Sequence, residues 1–389
     1  MSLHQVINEF LEIDGENIEM MKMTEIKGSQ IIKYISSYFI QTLKKVEYIP
    51  EKYNKHIGFF IRNMINTVMR TIGLDVMYCN KLFNHFAKWF LSFQEFIEKY
   101  NLPKEYFKEY YYAAFSGLFF LIFGKIKNFK LHDIIIRLWI LVDNMFDYES
   151  ESESKKEVCI FFIDSYFINT EKRRHFLENS NGGPIIDCFK TIEEMKMSEK
   201  KKNGLYLRFY KLFQFSYKCG GYGERIESGN KIGSDFEILK NSCLKTKKAM
   251  DIFFYSINYK KKKEDEYKIF HLSLIVQLID DLMDIRKDKL EGKTTIFTKE
   301  CVLENTKNAI KLFQLIKNSQ ILRNNSFLIL CECLMFLIID FNNEFFEESF
   351  IQKIRANCSL MDLKYYNMQE IDSIVESEIM KKIMCIYLK

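Results

Sequence analysis

The sequence predicts an all-α protein. Only three prolines occur, Pro50, Pro103 and Pro184, so few positions are barred from helix interiors. No sustained two-residue alternation of apolar and polar side chains appears, and several apolar stretches are longer than an ordinary strand. With 48% hydrophobic and 15% aromatic residues among 389, the chain can bury a large core. No linker divides it, so one helical domain is expected over residues 1–389.

In chain order, residues 1–45 carry mixed helical patterning and read as an N-terminal extension or a first helix pair. Residues 54–72 and 75–100 have the apolar stripes of two amphipathic helices. Pro103 suits a first helical turn, and that helix is expected to run through YYYAAFSGLFFLIFG to about Gly124. Residues 127–147 begin polar, turn apolar from Ile134 to Val142 and end in Asp143-Asn144-Met145-Phe146-Asp147. The alternating Glu and Ser residues that follow predict a mobile loop. Short helices are expected over 157–170 and 184–197, around a turn holding Gly182, Gly183 and Pro184. GLYLRFYKLFQFSYK predicts a further helix, closed by Gly220, Gly221 and Gly223. Residues 234–257 predict another, then comes a Lys-rich turn, the apolar helix 270–296, and three or four helices to the end.

Charge and cysteines narrow the function classes. The 57 basic and 52 acidic residues are interspersed, so no nucleic-acid footprint appears, and the runs Lys200–Lys202 and Lys260–Lys263 read as loops. The ten cysteines lack metal-ligand spacing, the six histidines never pair at helical spacing, and the N-terminus lacks a basic, apolar leader. Free thiols in a reducing cytoplasm are therefore expected. The apolar runs 110–124 and 327–341 are shorter than the ~20 residues a membrane span needs, so no stable membrane insertion is expected.

The chemistry concentrates in FHLSLIVQLIDDLMDIRKDKLEGKTTI, residues 270–296. On a helix, Gln277, Asp280, Asp281, Asp284 and Asp288 fall within an arc of about 100°. A solvated face is the ordinary reading of an acidic cluster. Here, apart from His271, the other faces up to Met283 are Leu, Ile, Val, Phe and Met, which marks a buried helix. Buried carboxylates need a cation against them, and a divalent metal is the simplest one. Asp143 and Asp147, four apart, lie at the C-terminal end of their helix, where the macrodipole already adds negative charge. Two acidic helices facing one another would offer hard oxygens to Mg²⁺, which commonly bridges a few carboxylates to phosphate. The apolar surroundings suit a diphosphate with a hydrocarbon tail.

These residues resemble a known superfamily. Gln277-Leu278-Ile279-Asp280-Asp281-Leu282-Met283-Asp284, followed by Gly292-Lys293-Thr294-Thr295, resembles the second aspartate-rich region of trans-isoprenyl diphosphate synthases. The stretch is also similar to the metal-binding triad of class I terpene synthases, with Asp280, Asp284, Lys287 and Asp288 in register. Asp143-Asn144-Met145-Phe146-Asp147 resembles the first aspartate motif, with Asn144 replacing a second Asp. Lys245-Thr246 resembles the pair that holds substrate diphosphate. The resemblance spans roughly residues 110–300. It implies an isoprenoid synthase-type helical bundle around a central apolar cavity, three Mg²⁺ ions (Mn²⁺ substituting), and ionisation of an allylic diphosphate. Homodimers are common in the superfamily, and a homodimer is an expectation here.

Two departures favour a terpene synthase over a chain-elongating prenyltransferase. No basic Gly-Gly-Lys segment for a second substrate appears near the N-terminus, and no Arg pair follows Asp147. The expected substrate is geranyl, farnesyl or geranylgeranyl diphosphate; a prenyltransferase and a non-catalytic partner subunit are the alternatives. The resemblance implies metal ligation by Asp143, Asp147, Asp280, Asp281, Asp284 and Asp288. It assigns Lys245, Lys287, Gln277, Arg225 and Lys293 to the diphosphate. Trp139, Phe146, Phe253 and Phe254 are candidates for facing the carbocation, although core packing is the commoner role of such residues.

Overall fold

Local signals decide where the helices begin and end. In the computed structural model, the described residues are 3–17, 50, 52, 54–71, 75–104, 106–107, 109–110, 113, 122–147, 153–180, 182–219, 234–298, 301–319, 321–322, 327–357 and 378–388. Among them no strand occurs. The described helices are α1 (Leu3–Leu11), α2 (Asn54–Thr71), α3 (Val76–Tyr100), α4 (Phe129–Asp147), α5 (Glu153–Ile163), α6 (Thr170–Asn179), α7 (Pro184–Glu194) and α8 (Glu199–Cys219). They continue as α9 (Asp235–Ile257), α10 (Glu266–Met283), α11 (Ile285–Leu290), α12 (Val302–Asn318), α13 (Phe327–Phe341), α14 (Glu348–Asn357) and α15 (Glu378–Leu388). Asp75 caps α3 by accepting from the Tyr78 amide, and Asn101 ends it at φ 50. Ser234 and Asn258 do the same for α9.

Three expectations need correction. The acidic loop after Asp147 is helical again from Glu153, as the start of α5. The segment around 170–180 forms α6, because the Asn169 side chain accepts from the Glu171 and Lys172 amides and opens a helix there. Lys200–Lys202 is not a loop but the first turn of α8. Lys202 is buried, its ammonium donating to the Glu193 carbonyl and lying 3.6 Å from the Glu193 carboxylate. A lysine that finds such partners loses its claim on solvent.

The buried side chains form one connected core. α9 packs against α10 on one side and α4 on another, and also meets α8 and α1. The N-terminal α1 inserts Val6, Ile7 and Phe10 against α9, α10 and α12. At the other end of the chain α15 lies on α2 and α3, where Arg62 donates to the Tyr387 carbonyl at 3.2 Å. The start of α4 is pinned to the end of α9: the Lys127 and Asn128 amides donate to the Ser256 carbonyl, and His132 Nδ1 meets Ser256 Oγ at 2.8 Å. No helix among the described residues is long and apolar enough to cross a membrane.

Candidate active site

The acidic stripe sits on α10 and α11. From Leu272 to Leu278 every α10 side chain is buried, so the carboxylates emerge from an element embedded in the core. The stripe is not one straight helix as expected: Asp284, at φ −93 and ψ 8, interrupts it. The hydrogen-bond ladder nevertheless continues, with Asp284 N donating to Asp280 O at 2.9 Å and Asp288 N to Asp284 O at 2.8 Å. The stripe therefore bends rather than ends. α11 closes in a Schellman turn: Gly292 adopts φ 68, its amide donates to Lys289 O, and the Lys293 amide donates to Asp288 O.

Gln277 organises the α9–α10 junction. Its Oε1 accepts from Thr246 Oγ1 at 2.5 Å, and its Nε2 donates to Asp281 Oδ1 at 2.8 Å and Asp280 Oδ2 at 3.3 Å. Lys245, beside Thr246, lies close enough to favour the Asp281 charge. The structure thus brings Lys245-Thr246 to Gln277, Asp280 and Asp281. Burial, against Gln277 and Lys245 and with Asp284, pushes the Asp281 carboxyl up to about 7. Burial, reinforced by Asp284, Asp281 and Asp280 and opposed by Lys293, pushes Asp288 up to about 8. Both acids are short of positive charge.

Glu109 joins this assembly to the first acidic segment. Lys287 Nζ lies 3.1 Å from Glu109 Oε1, and Asn144 Nδ2 donates to Glu109 Oε2. Asn144 is buried at 3% exposure and also donates to Ile140 O at 2.9 Å. Burial opposes the Lys287 charge, but Glu109, Asp284 and Glu291 together hold its ammonium well above the usual lysine range. Sequence reasoning misses Glu109. Its only signal is a lone acid between Phe107 and the tyrosines 110–112.

The remaining candidates fall as follows. Lys293 pairs with Glu291 at 2.9 Å and is near enough to Asp288 to lower its pKa. Trp139 meets Phe253 edge-on at 5.6 Å, between α4 and α9. Phe254 turns instead to Phe123 and Tyr259, both centred about 5 Å away, as a packing residue. Asp143 and Asp147 close α4, but their side chains, like that of Phe146, lie outside the described ones, and Arg225 lies outside the described residues. Among the described residues no three His, Cys, Asp or Glu side chains already form a metal-holding group. The donor set still suits Mg²⁺. The carboxylate oxygens are hard ligands, and the raised Asp281 and Asp288 report a deficit of cationic charge that a divalent ion would fill. No protein-family model, curated protein or solved structure matches this chain.

Proposed function

We propose that the protein is a Mg²⁺-dependent class I terpene synthase, ionising a linear prenyl diphosphate and releasing inorganic diphosphate. One observation carries the reading: a single carboxylate, Glu109, contacts both Lys287 of the second acidic segment and Asn144 of the first. Asn144 of α4 and Lys287 of α11 thus meet on one carboxylate, which supports a diphosphate shared between the two acidic segments.

When bound, Mg²⁺ would be held by Asp143 and Asp147 from α4 and by Asp280, Asp281, Asp284 and Asp288 from α10 and α11, supplying Lewis-acid stabilisation of the leaving group. The chain's own groups do the rest. Lys245 and Lys287 orient the diphosphate and donate to its oxygens, with Lys293 behind them. Gln277, tied to Thr246, donates to the Asp281 carboxylate and fixes its orientation. Trp139, backed edge-on by the fully buried Phe253, presents apolar surface that excludes water from an allylic cation.

The test is turnover of geranyl, farnesyl and geranylgeranyl diphosphates, each alone and with isopentenyl diphosphate. Hydrocarbon or alcohol products from the single substrate are expected, whereas a longer diphosphate made only with isopentenyl diphosphate identifies a prenyltransferase. Asp280→Ala and Asp143→Ala are each expected to abolish turnover, and wild-type rates in both would remove the metal assignment.

A further inference from the structure

We infer that Lys287 and Asn144 form a two-donor anion subsite, and that Glu109 occupies it as an internal substitute until the ligand's diphosphate displaces it. The inference rests on the synthase reading for the identity of the incoming anion.

The geometry makes the case. An ammonium and an amide NH₂, from two helices far apart in sequence, converge on the two oxygens of one carboxylate. Carboxylate and phosphate both present paired oxygens, so donors that satisfy one suit the other. Glu109 arrives from a third segment, next to Tyr110, whose hydroxyl donates to Asp133 at 2.5 Å and is thereby held on α4. That anchored neighbour keeps the carboxylate within reach of the subsite. The Asn144 side chain is buried, so its amide needs an acceptor in either state. The Glu109 and Lys287 side chains are only part-buried, at 25% and 36% exposure, so their pairing is exchangeable rather than locked. Asn144 also gains a role. A carboxylate at that position would repel Glu109, whereas the amide donates to it and afterwards to the ligand.

Calorimetric titration of inorganic pyrophosphate with excess Mg²⁺ tests this in the full-length protein. Glu109→Gln keeps the shape and removes the competing charge, and roughly fivefold tighter binding is expected. Lys287→Met is expected to weaken binding, and adding Glu109→Gln to it is expected to give clearly less tightening than it gives alone, because only the Asn144 donor is then released. Tightening of the same size in that background would reveal a general field effect and overturn the subsite. Unchanged or weaker binding in Glu109→Gln would also overturn it. Asn144→Leu leaves Glu109 intact, so it reads the second donor even if the Glu109 variant folds poorly. Weakened binding is expected, and wild-type affinity would overturn the two-donor subsite. Wild-type protein that binds no pyrophosphate with Mg²⁺ would remove the synthase reading and this inference together. Wild-type binding without the Glu109→Gln gain removes this inference alone.

Discussion

At the scale of single residues, Asp281 and Asp288 contribute to the response to pH above neutrality. Both carboxyls lie above their ordinary value of 3.8, at about 7 and about 8, chiefly through burial. The native state therefore keeps protons that the unfolded chain has released, and this contribution to stability declines as pH rises from about 4 to about 8. Buried His132 and His271, whose imidazoles burial holds below the usual range, act in the opposite sense up to about pH 6.5. Without divalent metal, the urea midpoint is therefore expected to fall between about pH 6.5 and pH 8.5, and Asp288→Asn to flatten that slope. A slope as steep in the variant would mean that Asp288 is ionised in the apo protein. The spacing of Gln277 and Asp281, one helical turn apart, is visible in the sequence, and so is the apolar setting that makes these acids costly to ionise. Glu109 is not. Its partner Lys287 is 178 positions away, and no local pattern joins a lone glutamate in an aromatic run to a lysine that distant.

Among the helices, boundaries follow cap chemistry where caps are strong, as at Asp75, Ser234 and Asn258. α6 escapes a periodicity search because its fully buried anchor is an arginine. Arg173 donates to Glu193 at 2.7 Å, Glu199 at 3.0 Å, Asn203 at 2.7 Å and the Phe167 carbonyl at 2.9 Å, and lies over the Tyr206 ring. This network ties α6 to α7 and α8. Arg173→Met leaves Glu193 without its closest cation, and a loss of about 3 kcal/mol is expected by chemical denaturation. A loss below about 1 kcal/mol would show that Lys202 and Arg174 take over. The Lys200–Lys202 run misleads for the same reason: charge predicts solvent only when the opposite charge is elsewhere.

For the whole molecule, the all-α class follows from scarce proline and long apolar stretches, and the described residues bear it out. How the helices assemble is not legible, because pairings such as α1 with α9, α10 and α12 depend on shape complementarity between distant segments. Phe10, 1% exposed, fills the junction where α1 meets the core. Phe10→Ala is expected to cost about 3–5 kcal/mol, measured as a lower denaturation midpoint with little change in slope.

The position of α9 between α4 and α10 bears on which edits of chain length the protein tolerates. One residue added inside α9 ahead of Thr246 would rotate everything before it by about 100° relative to Thr246, unphasing the helix against one neighbour or the other. The same addition in the exposed lysine turn after Asn258 would simply lengthen a surface strap. Drift in length and engineered tags or reporter insertions belong in that strap, with α9 kept as an unbroken ruler.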